Sequence, residues 1–588
     1  MNFFKNVLAT MVGIILFSML SFFLLFIVGI AVSASSESTV SVKNNSVIKL
    51  DLFAVTNDYG GKTRVTDFEF SENNNDGLID VLNAIEFAKT DSSIKGISIE
   101  NNASMLGITQ RKAIREKLMD FKKTGKFVVA YSDGYSQSEY YMNSVADTVY
   151  LNPMGSVDFK GLASEILYMK DLQEKSGVKM EVIRHGKYKS AVEPYLQQTM
   201  SEENREQMTV LLNSIWDNII TDISTSRKIS KDSLNWIATN LEGRTPELAL
   251  KNKLIDKIAY FDEYENGMRK AMNIEADKEI NKVDILDYVS STFGKSKNKS
   301  KDRIAVIVAQ GEIRGGEGSV NIIGEGSINR ALKEARTNEN IKAIVLRVNS
   351  PGGSALTSDI IWREIELTKK VKPVIVSMGD VAASGGYYIA CNATRIFAEP
   401  TTITGSIGVF GVLPNFKGVT DKIGVNAQVV KTHKNAAGYS VFTDLDEGFK
   451  ETIQADIERV YSTFVNRVAA GRNMTYEKVD ALAQGRVWTG TMALENGLVD
   501  ELGGLDAAVA FAAKEVGLTD YRINYYPEYE IKLRDLLRGL IGMNVKEVQQ
   551  EAIIQTVGKE NYELFERLNY IKETKTIQAM LPYQINIK

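Results

Sequence analysis

Residues 140–153 read YYMNSVADTVYLNP, and residues 387–400 read YYIACNATRIFAEP. Each stretch opens on paired tyrosines, passes through a short apolar run and closes on a proline. Their separation is 387 − 140 = 247 residues. The same separation relates IKGISIENN, from Ile94, to IKAIVLRVN, from Ile341, and Val182-Ile183 to Val429-Val430. Between these matches Gly155-Ser156 stands opposite Gly405-Ser406 at a separation of 250. Farther on, GRTPELALKNKLID (243–256) is echoed by GRVWTGTMALENGLVD (485–500). Matches in one order over such a span mark a duplicated domain.

Within each copy, β-branched runs such as AIVLRV and PVIVSM alternate with helical stretches such as SDIIWREIELTKK. That alternation predicts α/β domains with mainly parallel strands. The polar GKSKNKSKD, residues 294–302, reads as a linker. The expected organisation is a tail at 1–6, an apolar anchor at 7–34, a first domain at 45–293, the linker, a second domain at 303–545, and a C-terminal tail at 546–588 that carries no usable motif.

The anchor rests on an uncharged, mostly apolar run from Asn6 to Ser36. A helix crosses the hydrocarbon core with about 20 residues, whereas a cleavable signal peptide has an apolar segment of about 7–15. An uncleaved transmembrane helix is therefore expected, although AVSA (31–34) resembles a cleavage site. Lys5 precedes the run, and the positive-inside rule keeps that end in the cytoplasm and exports the large domains.

Composition removes several function classes. Seventy basic and 74 acidic residues nearly cancel, giving net charge −4, and no basic stripe marks a nucleic-acid binder. Cys391 is the single cysteine, so no intrachain disulfide forms; in its apolar segment it reads as a structural thiol. Histidines are only two, His185 and His433, in a chain whose serines would usually need one as base. No metal-ligand spacing and no cofactor motif are present.

The repeat exposes reciprocal losses. Ser384, in GDVAASGGYY, faces Gln137 at 247 residues' separation, and NSPGG (349–353) faces NASML (102–106). Conversely Lys189, in RHGKYKSAVEPY, faces Ala436. Each copy holds half of a site. A serine hydroxyl becomes a nucleophile when a neutral amine takes its proton, and burial lowers a lysine pKa towards that state. Gly352 and Gly353, with the N–H of Gly385, are candidate donors to an oxyanion. Ser406 is placed to hydrogen-bond the lysine amine. His185, four residues before Lys189, is the competing base, and simple turn packing competes for Ser384 and Ser406.

With YKSAVEPY, VNSPGG, GDVAASGGYY and TGSIGVFG, the chain resembles the bacterial signal peptide peptidase A (protease IV) family in its long form with two tandem domains. The likeness runs from residue 45 to about 520, plus the anchor; the tail after Asn544 matches least. It implies a fold like the Clp protease and crotonase superfamily, built from repeated β-β-α units. It implies Ser384 as nucleophile, Lys189 as general base and Ser406 orienting the lysine. It further implies a homo-oligomer, a tetramer, in the bacterial inner membrane, with its catalytic domains outside the cytoplasm. Its substrates would be signal peptides left after preprotein processing and other apolar peptides. The rival functions are a crotonase-like acyl-CoA enzyme and a non-catalytic membrane scaffold.

Overall fold

The structure is a computed structural model of the 588-residue chain and describes residues 5–7, 9–21, 42–65, 70–292, 298–531 and 578–580. The duplication is visible strand by strand. In the first copy six strands lie in the order Lys257–Ile258, Thr148–Leu151, Phe127–Ser132, Ile94–Glu100, Ser46–Lys49, Asn281–Asp284, every neighbouring pair parallel. The second copy repeats that order with Glu501–Leu502, Arg395–Ala398, Val374–Ala383, Ile341–Ser350, Arg303–Gln310 and Arg522–Tyr526, again all parallel. Parallel sheets need helical crossovers that cover their faces, which is why the strands read as apolar runs.

The residues that reveal the repeat do the same structural work twice. Tyr140 and Tyr387 are fully buried, and their hydroxyls donate to the carbonyls of Leu254 and Leu498, both at 2.8 Å. The helices Glu202–Arg227 and Glu447–Arg472 each run 26 residues. Their last residues, Arg227 and Arg472, clamp Asp256 and Asp500. These aspartates also accept the N–H of Val149 and Ile396, both at 2.8 Å.

The second copy shows a β-β-α unit in which Ile341–Ser350 leads to Gly352–Ser354 and helix Ala355–Lys369; Arg303–Gln310 leads to helix Glu325–Thr337 through two short strands, Glu312–Ile313 and Ile322–Ile323. In the first copy Ile94–Glu100 passes to helix Ile108–Lys122 with no strand between.

One sheet is shared by the copies. Lys179–His185 of the first copy pairs antiparallel with Val409–Asn415 of the second, from Val409 opposite His185 to Asn415 opposite Lys179. Next to Val409–Asn415 lies Gln578–Met580, followed by Gly352–Ser354, Glu312–Ile313 and Ile322–Ile323. The motif-poor tail thus supplies an interior strand. At this seam the sequence repeat does not extend to conformation: Val182 and Ile183 are in a strand, while Val429 and Val430 are exposed and outside any strand. The strand of the first copy takes its partner from a segment of the second copy upstream of Val429.

The seam is buried and charged. Arg347 Nε donates to Asp58 Oδ2 at 2.8 Å, Gln110 Nε2 donates to Asp58 Oδ1 at 2.7 Å, and Thr109 N–H donates to Asp380 Oδ1 at 2.7 Å. The apolar cores interlock as well: Ala383, Ile403 and Val487 pack into the core of the first copy, and Ile183 into that of the second.

Half of the expected anchor, 7–34, lies outside the described residues. Residues 9–21 are helical and carry exposed apolar side chains, among them Leu16 and Phe17. Among the described residues no helix is long and apolar enough to cross a membrane.

Candidate active site

Strand Val374–Ala383 delivers the chain to Ser384, and helix Gly385–Ala390 carries it away. The reversal is sharp. Ser384 has φ 55° and ψ −115°, a conformation that costs a non-glycine residue about 1–3 kcal/mol and persists only where its surroundings impose it. Its N–H donates to the Gly405 carbonyl at 2.8 Å, and its own carbonyl accepts from Tyr388 N–H at 2.8 Å. Small neighbours make this possible: a β-carbon on Gly386 would lie 2.7 Å from the Ser350 carbonyl oxygen.

The first copy brings the amine. Lys179–His185 turns at Gly186, φ 102°, and Lys189 heads the turn Ser190–Val192. Lys189 Nζ lies 3.0 Å from Ser384 Oγ, 3.0 Å from Ser406 Oγ and 3.1 Å from the Ser406 carbonyl oxygen. Lys189, Ser384 and Ser406 are each 0% exposed. Burial holds the Lys189 amine well below the usual lysine range, because a low-dielectric pocket disfavours the ammonium form. The turn is fixed by Tyr188 N–H donating to the Gln484 carbonyl at 2.9 Å. Gly485, φ 79°, leaves room for the lysine stem: a β-carbon there would lie 2.6 Å from Lys189 Cβ.

Gly352 and Gly353 have φ 100° and 150°, conformations open to glycine. The Gly352 N–H donates to Ser350 Oγ at 3.1 Å. A β-carbon on Gly352 would collide with the Ala579 carbonyl oxygen and lie 2.7 Å from the Gly385 nitrogen. One on Gly385 would lie 3.0 Å from the same Ala579 oxygen. A backbone carbonyl oxygen therefore occupies the space between Gly352 and Gly385, beside Ser384.

The competing base is engaged elsewhere. His185 Nδ1 is 2.6 Å from Glu458 Oε2, and its ring stacks on Tyr461 at 3.7 Å. His433 is exposed beside Thr432. Cys391 is fully buried, and its thiol, pushed up to about 12 by burial, donates to the Tyr388 carbonyl. In the first copy Gln137, opposite Ser384, is a strut: its Oε1 accepts from Lys160 and Gly161 N–H at 3.0 and 2.9 Å, and its Nε2 donates to the Gly161 carbonyl at 3.0 Å. Ala436, opposite Lys189, is exposed.

Two segments of the chain, residues 120–275 and 366–519, match the model of Peptidase family S49. The chain belongs to this family. The two matched segments fall one in each copy. Protease 4 of Haemophilus influenzae is 34% identical over 92% of this chain and 90% of that protein. Protease 4 of Salmonella typhi is 37% identical over 81% of this chain and 78% of that protein. A putative signal peptide peptidase SppA of Enterococcus faecium is 35% identical over 41% of this chain and 68% of that protein.

Three features of this candidate site leave little or no trace in the sequence. The strained backbone of Ser384 has no G-x-S-x-G signature, because ordinary alanines and glycines surround it. Gln484, φ 54°, and Gly485 shape the lysine turn from about 300 residues away in sequence, and only the tertiary contact reveals it; glycine at 485 was the available signal. The tail strand Gln578–Met580 lies in a stretch without a recognisable motif.

Proposed function

We propose that this protein is a membrane-anchored serine endopeptidase working through a Ser384–Lys189 dyad. The observation that carries the reading is a fully buried niche in which one amine meets two serine hydroxyls, Lys189 Nζ being 3.0 Å from both Ser384 Oγ and Ser406 Oγ. With the amine neutral, its lone pair takes the Ser384 proton as Oγ adds to a peptide carbonyl carbon. Ser406 holds the amine in line. The developing oxyanion lies in the space bounded by Gly352, Gly353 and Gly385, where the Gly385 N–H, at the first position of its helix, has no intrahelical acceptor; the Gly352 N–H, expected as a donor, is instead taken by Ser350 Oγ. The lysine then returns the proton to the leaving nitrogen, and a water molecule hydrolyses the acyl-enzyme by the same steps in reverse.

Signal peptides remaining after preprotein processing, and other apolar peptides, are the proposed substrates. Similarity to the signal peptide peptidase SppA of Enterococcus faecium supports this, and so does an anchor that keeps the site close to apolar membrane segments. Exposed apolar side chains along residues 9–21 support the anchor itself. Its orientation, with the catalytic domains on the outer side of the bacterial inner membrane, follows from Lys5. Family resemblance supports a homo-oligomer, a tetramer, and a fold related to Clp protease and crotonase; the β-β-α unit Ile341–Lys369 of the second copy agrees with the latter.

The test is labelling with a fluorophosphonate probe followed by peptide mapping. Modification at Ser384 that disappears in Lys189→Ala is the expected result. An unlabelled Ser384, or turnover of a CoA thioester without peptide hydrolysis, would overturn the reading.

A further inference from the structure

Residues 484–486 hold both halves of the site. The Gln484 carbonyl accepts the N–H of Tyr188, next to Lys189, at 2.9 Å. The Gly485 N–H donates to the Ile407 carbonyl at 2.8 Å, and the Arg486 carbonyl accepts the Ser406 N–H at 2.7 Å. Three consecutive residues therefore bridge the backbone that carries the amine and the backbone that carries its serine partner. The three segments meet closely: a β-carbon on Gly408 would lie 2.8 Å from Gly485 Cα and 3.2 Å from Lys189 Cδ. A shift of residues 484–486 would change the spacing between Lys189 and Ser406.

The bridge is itself fixed by side chains that the proposed mechanism does not use. Gln484, at φ 54°, sits in the left-handed region, which a non-glycine residue keeps where its surroundings impose it. Those surroundings are Tyr461, on helix Glu447–Arg472, and Asp480, on helix Tyr476–Leu482. Gln484 Nε2 donates to Asp480 Oδ1 at 2.9 Å and to the Tyr461 hydroxyl at 3.0 Å, and the Gln484 N–H donates to the same hydroxyl at 3.4 Å. The Tyr461 hydroxyl donates in turn to Asp480 Oδ1. Tyr461 is buried, and its ring stacks on His185, the last residue of the strand that leads into the lysine turn. One tyrosine thus braces the lysine-bearing segment with its face and the bridge with its hydroxyl.

We propose that Tyr461 and Asp480 are positioning residues for the dyad, holding Gln484 in its left-handed turn and thereby setting the Lys189 amine against Ser406 and Ser384. The proposal rests on the peptidase reading of the site and adds the layer that keeps its geometry. A base must stay within hydrogen-bond reach of the proton it takes, and Lys189 Nζ stands 3.0 Å from Ser384 Oγ. The hydrogen bonds of Tyr461 and Asp480 go to Gln484 and to each other, so their effect reaches the amine through the backbone of residues 484–486.

The test is the kinetics of fluorophosphonate labelling at Ser384 in full-length variants. Saturation with the probe separates kinact, the rate constant of covalent bond formation, from KI, the apparent affinity. Tyr461→Phe keeps the ring on His185 and removes the hydroxyl. Its kinact is expected to fall about 10-fold at unchanged KI, within the loss of up to ~100-fold that a misplacement of about 1 Å can cause. Asp480→Ala should behave alike, whereas Asp480→Asn, which keeps an oxygen to accept from Tyr461 and Gln484, should return kinact to near the parental value. Denaturant melts establish that each variant is folded, and if Asp480→Ala is not, Tyr461→Phe decides alone. A parental kinact in folded Tyr461→Phe overturns the proposal. So does an Asp480→Asn as slow as Asp480→Ala, or a loss that appears in KI in place of kinact. Failure of the peptidase reading is a separate result, an unlabelled Ser384 in the parent chain.

Discussion

In the proposed dyad Lys189 serves as a base only with its charge withheld. An exposed lysine keeps its proton to a pH of about 10.4, and burial without a carboxylate partner pulls this one well below that value. The sign for activity follows. The competent form is the neutral amine, so kcat/KM should rise as pH climbs through the lowered Lys189 pKa. A pH–rate profile checks this, and an acid limb near the usual lysine value would contradict it. Lys189→Arg should be as inactive as Lys189→Ala, because a guanidinium stays protonated. Ser384→Ala should remove hydrolysis, and the double variant Ser384→Ala with Lys189→Ala should be little worse than either single one, because groups acting as a unit are non-additive. Steady-state assays on folded variants decide this. The residue types and the reciprocal pattern were readable in sequence. The φ of 55° at Ser384 was not, since backbone strain is imposed by the packing of Gly405 and Tyr388 and leaves no compositional trace.

Among the elements, the segment from Lys179–His185 into the Lys189 turn is the critical one. It pairs with a strand of the other copy, and Gln484-Gly485 presses on it. Gly485→Ala should displace the lysine stem, since its β-carbon would lie 2.6 Å from Lys189 Cβ. A misplacement of about 1 Å can cost up to ~100-fold in rate, so kcat should fall steeply. Gly497→Ala is the control. Gly497 also has positive φ, 84°, at the end of helix Gly490–Asn496. Its loss should cost about 1–2 kcal/mol of stability and leave kcat unchanged. Denaturant melts and kcat, measured together, separate the two. Alternation of strands and helices had already announced such elements. Partner choice across the seam had not, because antiparallel pairing of Lys179–His185 with Val409–Asn415 joins segments more than 200 residues apart.

At the scale of the molecule, the site exists only where the copies meet. Residues 45–293 and 303–588, prepared separately, should each be inactive and should recover hydrolysis only on mixing; activity in the second fragment alone would defeat the shared site. The seam is held by the buried Arg347–Asp58 pair, whose side chains are 7% and 2% exposed. Asp58→Asn leaves a buried guanidinium without its counter-charge, at a cost of about 3–5 kcal/mol. Glu501→Gln, which breaks the exposed Arg395–Glu501 pair, should cost less than about 1 kcal/mol. Chemical denaturation of both variants checks the contrast.

Sequence alone determined the duplication, the α/β class and the split of serine and lysine between copies, because each leaves a local or periodic trace: the 247-residue spacing, the apolar strand runs, the unmatched Ser384 and Lys189. Sequence resemblance pointed to Lys189 as the base, and tertiary structure alone supplied the contact, Lys189 Nζ 3.0 Å from Ser384 Oγ. It turned His185 to Glu458, buried the amine, and threaded Gln578–Met580 between Gly352–Ser354 and Val409–Asn415. The physical reason is common to all three. Burial, side-chain direction and strand partnership are properties of the space between distant segments, and a chain read residue by residue carries no coordinate for that space.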